Sequence, residues 1–250
     1  MFIGNRVPGA IKRVLPSAVK HPFLAATKFY WDLRKFPAQS SGDMAIFKEI
    51  LSNAGGQTVR VFEWGSGSSS IFYPQFLNST GRQFEWHAME NSAAWFDKTQ
   101  ERIIRRHLAD QVHLHLSEFP AFWQLPGYST NDPVPPESNI QNANVVDYIN
   151  RPKELGELLD VLIIDGRFRR RCLAVAREVL APGGVVILHD AQKVHYHSSL
   201  STFPNVRFIQ TGPMPGSSQR STIALCTEEK PQWLERLLEK YHSFSWDTDD

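Results

Sequence analysis

Two apolar patterns alternate along the chain and predict a sheet layered between helices. Val161-Leu162-Ile163-Ile164 and Val185-Val186-Ile187-Leu188 are continuous apolar runs, as expected for central strands buried on both faces. Val59-Arg60-Val61-Phe62 and Phe84-Glu85-Trp86-His87-Ala88-Met89-Glu90 read as two earlier strands. Val112-His113-Leu114-His115-Leu116 alternates strictly, which predicts a strand with one wet face at a sheet edge. Between these runs the spacing is helical. Met44, Phe47, Ile50 and Leu51 follow the capping residues Ser40-Ser41-Gly42-Asp43 and stop at Gly55-Gly56. Trp95, Phe96, Thr99, Ile103 and Leu108 form one stripe after the caps Asn91 and Ser92, its aromatics expected in the core. Arg169 to Leu180 is a further helix, and Trp233, Leu234, Leu237, Leu238 and Tyr241 mark a C-terminal amphipathic one. Val206 to Gln210 and Thr222 to Cys226 predict a closing antiparallel pair around the loop Thr211 to Ser221. Strands alternating with helices place the chain in the α/β class.

The first strand runs into Glu63-Trp64-Gly65-Ser66-Gly67-Ser68-Ser69-Ser70. Two glycines one residue apart let a backbone bend sharply and approach a ligand, and the serines can cap a following helix. Such a turn at the carboxyl end of a parallel strand is where doubly wound sheets bind ligands. Ser70 stands where a dinucleotide fingerprint would want a third glycine, and the Glu63 carboxylate would repel a diphosphate. The second strand ends in Glu90, roughly 20 residues past the turn, where such folds hold ribose hydroxyls with an acidic residue. A helix-dipole role for Glu90 and a ligand-free loop at the turn are the plainer alternatives.

Glu63-x-Gly65-x-Gly67, Glu90, the strand Val161 to Asp165-Gly166, and Ala181-Pro182-Gly183-Gly184 before Val185 to Leu188 together resemble the class I S-adenosylmethionine-dependent methyltransferases, over roughly Asp43 to Thr227. The resemblance implies a Rossmann-like, doubly wound, mostly parallel seven-stranded sheet with a closing antiparallel pair. It implies S-adenosylmethionine as cofactor, the glycine turn wrapping it and Glu90 holding its ribose. The expected cofactor set is Glu63, Gly65, Ser66, Gly67, Glu90, Asn91, Glu118 and Asp165.

With 250 residues, one domain with an appendage is expected: a basic helical arm over 1–40, an α/β domain over 41–228 and a C-terminal helix and tail over 229–250. A balance of 27 Lys+Arg against 26 Asp+Glu gives no reason to expect a nucleic-acid partner. The arm is the exception. Arg6, Lys12, Arg13, Lys20, Lys28, Arg34 and Lys35 face the single acid Asp32, and aromatics interleave with them. That bias fits contact with a membrane surface or a second subunit, a transit segment, or a helix packed on the domain. No stretch has the apolar length of a spanning helix, and no secretory signal core is evident, so a soluble cytoplasmic protein is expected, peripheral to a membrane if the arm docks there. Cys172 and Cys226 fall in apolar patterns and read as buried free thiols. From 118 to 158 the pattern breaks around Pro133-Val134-Pro135-Pro136, an insertion read as a lid or binding loop, with Trp123, Tyr128 and Tyr148 as stacking surface for an acceptor and disorder as the alternative.

Methyl transfer needs few groups, an aligned acceptor and a way to remove its proton. Asp165 and Asp190 end neighbouring central strands and should project into one crevice with His189. They could hold a divalent cation, or one could act as general base. Metal-dependent O-methyltransferases of the catechol type are similar at Asp165 and Asp190, but Ala191 stands where their third ligand is an asparagine. The His189-Asp190 strand ending also resembles plant glucuronoxylan methyltransferases, which tilts the acceptor towards a hydroxyl of a glycan or small polar molecule. Arg167 beside Asp165-Gly166 suggests an anionic acceptor, and Arg169, Arg170 and Arg171 oppose the dipole of the helix they start, so they need either that acceptor or structural ion pairs. The predicted catalytic set is Asp165, Arg167, His189 and Asp190. His195, His197, His113 and His115 are read as wet loop or edge histidines before metal ligands. A nicotinamide oxidoreductase and a non-catalytic docking module that keeps the cofactor fold are the competing functions.

Overall fold

The computed structural model describes residues 36–120, 142–213, 218 and 220–246. Most of the basic arm, Trp123, Tyr128 and the tail from Asp247 lie outside the described residues. Seven strands form one sheet: β1 (Thr58–Trp64), β2 (Gln83–Glu90), β3 (Val112–Leu116), β4 (Leu159–Ile164), β5 (Leu180–Leu188), β6 (Asn205–Pro213) and β7 (Arg220–Thr227), in the order β3-β2-β1-β4-β5-β7-β6. The strands β3, β2, β1, β4 and β5 pair in parallel, and β7 runs antiparallel to both β5 and β6. β3 takes the edge its alternation predicts, while the continuous runs of β4 and β5 lie at the centre. After β1 the chain winds to β2 and β3 on one side and to β4 and β5 on the other. The carboxyl ends of β1 and β4 therefore flank the point where the winding reverses, the usual ligand crevice of such sheets.

Alternation along the strands sends apolar side chains to both faces, and each face buries a helical layer. One face packs Val59, Val61, Trp86, Ile163 and Ile187 against α1 (Ser41–Asn53), α2 (Ser69–Ser79), α3 (Ala93–Arg105) and α7 (Gln232–Lys240). The other packs Phe62, Trp64, Leu162, Ile164 and Leu188 against α4 (Ala143–Asn150), α5 (Arg169–Val179) and α6 (His197–Leu200). Cys172 and Cys226 are buried in that second layer.

The insertion is partly built into this core. Asn142 caps α4, which presents Val145, Tyr148 and Ile149 as a buried stripe and continues into a 3-10 helix over Arg151–Leu155. Tyr148 is fully buried, so it is no stacking surface for an acceptor. Its spacing with Val145 and Ile149 carries helical periodicity that the surrounding Asn and Pro residues obscure. The caps differ from expectation at two places: Ser68 at the start of α2 makes no capping bond, its Oγ accepting from Arg102 at 3.2 Å instead, and α3 is the other. Ser92 stands at the start of α3 but its side chain makes no capping bond; the Glu90 carboxylate accepts the Asn91 and Ser92 N–H groups instead, each at 2.9 Å. Among the described residues no helix is long and apolar enough to cross a membrane.

At the start of α1 the predicted cap is reciprocal. Ser40 Oγ accepts the Asp43 N–H and Asp43 Oδ2 accepts the Ser40 N–H, both at 3.0 Å, and Ser40 Oγ also lies 2.8 Å from Thr211 Oγ1 on β6. Replacing Ser40 by Ala is expected to lower stability by about 1–2 kcal/mol, read as a shift of the urea midpoint at unchanged slope.

Candidate active site

The glycine turn is built by close approach. Gly65 has φ +95, and a Cβ there would lie 2.6 Å from the Gly166 Cα, while a Cβ on Gly166 would lie 2.0 Å from Tyr148 Oη. β1 and β4 thus meet backbone to backbone at their carboxyl ends, and neither position admits a side chain. Gly67 differs. A Cβ there would make only ordinary contact, 3.5 Å from Trp95 Nε1, so the protein itself does not require glycine at this position. Trp95 is half-buried and donates its indole N–H to the Ser66 carbonyl at 2.9 Å, which places it on the turn instead of in the core. Trp95 lies on the same side of α3 as the buried Thr99 and Ile103 but at the helix start, where that side meets the turn.

Two carboxylates hold the turn from opposite sides. Glu63 is fully buried, accepting from the hydroxyls of Ser69 and Ser70 and from Trp86 Nε1 at 3.2 Å. Burial raises its pKa to about 7, the serine donors pulling the other way. Glu90 at the end of β2 accepts the Ser66 hydroxyl at 2.9 Å as well as the two N–H groups that start α3. Burial raises its pKa against those donors.

Beside the turn lies a cluster of buried charge. His189 ends β5 with Nδ1 3.1 Å from Asp165 Oδ1 and Nε2 3.5 Å from Asp43 Oδ2. Ser221 Oγ on β7 is 3.4 Å from the same Nε2. Arg169, one turn past Asp165, donates to the Asp165 carboxylate at 3.0 Å, approaches Asp190 Oδ2 at 3.5 Å, and caps the carbonyls of Asp165, Gly166 and His189. Asp43 has no exposure and also accepts from Thr211 Oγ1 at 2.7 Å. Burial alone would lower the His189 pKa, but Asp165, Asp43 and Asp190 outweigh it and raise it to about 10. Burial would likewise raise Asp165, but His189 and Arg169 pull it to about 2. At neutral pH His189 is an imidazolium donating from both nitrogens. Asp190 turns the chain after β5 at φ 57, a left-handed conformation that aspartate tolerates better than most residues. It keeps some exposure, with Lys193 Nζ at 3.7 Å.

No protein-family model matches the chain, and no curated protein matches it in sequence. Solved structures match it in shape. The O-methyltransferase TomG from Streptomyces achromogenes, involved in tomaymycin synthesis and in complex with SAM, aligns with TM-score 0.53 and 16% identity over 85% of this chain and 91% of that one. An O-methyltransferase from Bacillus cereus in complex with SAH aligns with TM-score 0.53 and 14% identity over 89% of this chain and 94% of that one. The fold is that of the class I S-adenosylmethionine-dependent methyltransferases.

Within this methyltransferase fold the structure brings Gly65, Ser66, Gly67, Glu90 and Asn91 together at one turn, and Asp165, His189 and Asp190 together next to it. Arg167 is exposed, its backbone N–H donating to Tyr148 Oη at 3.2 Å. Glu118 is exposed beyond β3, its carbonyl accepting from Asn144. His197 Nε2 is 2.9 Å from the Ala191 carbonyl and its ring packs on Phe208 and Trp246, so it has a packing role. Sequence reasoning missed Asp43 and Arg169 as members of the cluster. Asp43 shows in sequence only as a helix cap, whereas Arg169 left a signal: its clash with the α5 dipole, resolved here by a buried ion pair four residues back.

Two outcomes follow. Gly65→Ala should destabilise the protein by about 3 kcal/mol through backbone strain and collision with Gly166, measured by chemical denaturation. The charge cluster gives a signed pH dependence. A pKa raised in the folded state contributes stability below the ordinary histidine value of 6.5 that is lost as pH rises through about 10. The lowered Asp165 contributes stability above the ordinary 3.8 that is lost as pH falls through about 2. The melting temperature should therefore fall by more than about 5 °C between pH 7 and pH 10.5, and His189→Gln should flatten that alkaline limb.

Proposed function

We propose that this chain transfers a methyl group from S-adenosylmethionine to a hydroxyl oxygen of a polar or anionic small molecule. One observation carries this: the Gly65–Gly166 contact sets the glycine turn wall to wall with the Asp165–His189–Asp190 cluster, so a cofactor on the turn and an acceptor at the cluster would share one crevice. Bound there, the cofactor would supply a sulfonium methyl, an electrophile that needs only an aligned nucleophile. Gly67, whose neighbours do not demand glycine, leaves the backbone open to that ligand. Glu90 accepts from a hydroxyl that rotates freely, Ser66 Oγ, and ribose hydroxyls can compete for the same carboxylate. Ser66 and Asn91 frame it, and Glu118 stands at the mouth. Glu63, sealed by Ser69, Ser70 and Trp86, serves by fixing the turn.

On the acceptor side Asp190 is the carboxylate that meets the substrate hydroxyl, and exposed Arg167 favours an anionic substituent. His189 holds a proton between Asp165 and Asp43 and so positions the cluster; it is not the base. The ligand atoms of Asp165, His189 and Asp190 lie within 4.8 Å of one another, a spacing a divalent ion can bridge. Arg169 lies against both carboxylates and His189 is charged, so a divalent cation does not fit here, in keeping with Ala191 at the third ligand position.

Calorimetric titration with S-adenosylhomocysteine tests the reading. Micromolar binding is expected, weakened at least tenfold by Glu90→Gln, a loss of about 1.4 kcal/mol or more. No binding, with nicotinamide dinucleotides binding instead, would overturn it. In an acceptor screen, transfer should survive chelation by EDTA and fall at least a hundredfold in Asp190→Asn at unchanged S-adenosylhomocysteine affinity.

A further inference from the structure

The outer edge of the sheet carries a second group of titratable side chains, which the proposed reaction leaves unused. β2 and β3 pair with His87 opposite His113 and Met89 opposite His115. Glu85 and His87 on β2, and His113 and His115 on β3, are two residues apart on neighbouring strands and leave the same face of the sheet. His87 is the centre of the group. Its Nε2 is 3.0 Å from Glu85 Oε1 and its Nδ1 is 3.0 Å from His115 Nε2. The His87 and His113 ring centroids are 4.9 Å apart, and the His115 ring stacks on His87 at 5.3 Å. The ligand atoms of Glu85, His87 and His113 all lie within 4.8 Å of one another.

The setting suits a cation. Glu85 and His87 also line a cleft of about 320 Å³ whose wall carries Glu154 and Glu157. Arg60 lines the same cleft, but its guanidinium is paired to Glu157 at 2.6 Å. Two ligands each about 2.1 Å from one ion stand about 3.0 Å apart at a right angle and about 3.4 Å apart at the tetrahedral angle, and the Glu85–His87 separation meets the first of these. Two imidazoles with one carboxylate select zinc-class ions over magnesium, which prefers oxygen ligands throughout.

We infer that Glu85, His87 and His113 bind one divalent transition-metal ion of the zinc class, with His115 fixing the His87 ring through its other nitrogen. Glu85 Oε1 and His87 Nε2 would hold the ion as adjacent ligands, and His113 would reach it from the neighbouring strand. His115 would take the orienting place that a carboxylate, carbonyl or water ordinarily has beside a metal-bound histidine. The ion would clip the edge strand β3 to β2, some way along the strands from the crevice at their carboxyl ends.

The test uses the full chain, stripped with chelator and dialysed against buffered zinc, with bound metal counted by mass spectrometry and folding checked by circular dichroism. One zinc per chain is expected, with affinity at least tenfold weaker in both Glu85→Gln and His113→Gln, and with excess magnesium failing to compete. Zinc should raise the melting temperature of the parent chain and not of these variants. Absence of bound zinc overturns the inference. So does zinc binding that both variants leave unchanged, or that Asp165→Asn abolishes, since the ion would then sit in the crevice.

Discussion

The structure depends on burying five charges at one place. Asp43, Asp165 and Asp190 face the cations His189 and Arg169, and the five come from four parts of the chain: the start of α1, the end of β4, the His189-Asp190 pair after β5 and the start of α5. An unpaired charge in such a position would cost several kcal/mol, and removing one partner from a buried pair typically costs about 3–5 kcal/mol. The cluster therefore fixes how far apart these elements can sit. Thr211 on β6 and Ser221 on β7 extend it to the antiparallel strands, so the closing pair is tied by hydrogen bonds as well as by ladder pairing to the same centre.

The second constraint is steric and lies next to the first. Gly65 and Gly166 touch because β1 and β4 are neighbours at the point where the winding reverses. Tyr148 closes the third side, its hydroxyl 2.0 Å from where a Gly166 Cβ would stand. The helix carrying it comes from the insertion. The two glycines permit the contact between β1 and β4, while the Asp43 and Glu90 carboxylates each accept backbone N–H groups at a helix start.

Much of the fold was legible along the chain. Continuous apolar runs at Val161 and Val185 marked central strands, and the alternation of Val112 to Leu116 marked the edge. The glycine turn and Glu90 were legible too, because glycine spacing and a strand-end acid are local signals. Tyr148 and Trp95 were misplaced for opposite reasons. Tyr148 sits in polar, proline-rich surroundings yet packs on Phe119, and Trp95 shares a helical stripe with core residues yet bends over the turn. Helical periodicity tells which residues share a side of a helix, and it does not tell what lies opposite that side.

By itself, the sequence determined the order of strands and helices, the site of the sharp turn and the acids that end the strands, since all of these follow from periodicity and backbone freedom within a few residues. Only the tertiary structure decided that Asp43 reaches His189, 146 positions along the chain, that Arg169 lies against both Asp165 and Asp190, and that three histidine rings gather at the β2–β3 edge. Charge pairing and close approach act through space, and strand order, which is set by the whole core, chooses which distant residues become neighbours.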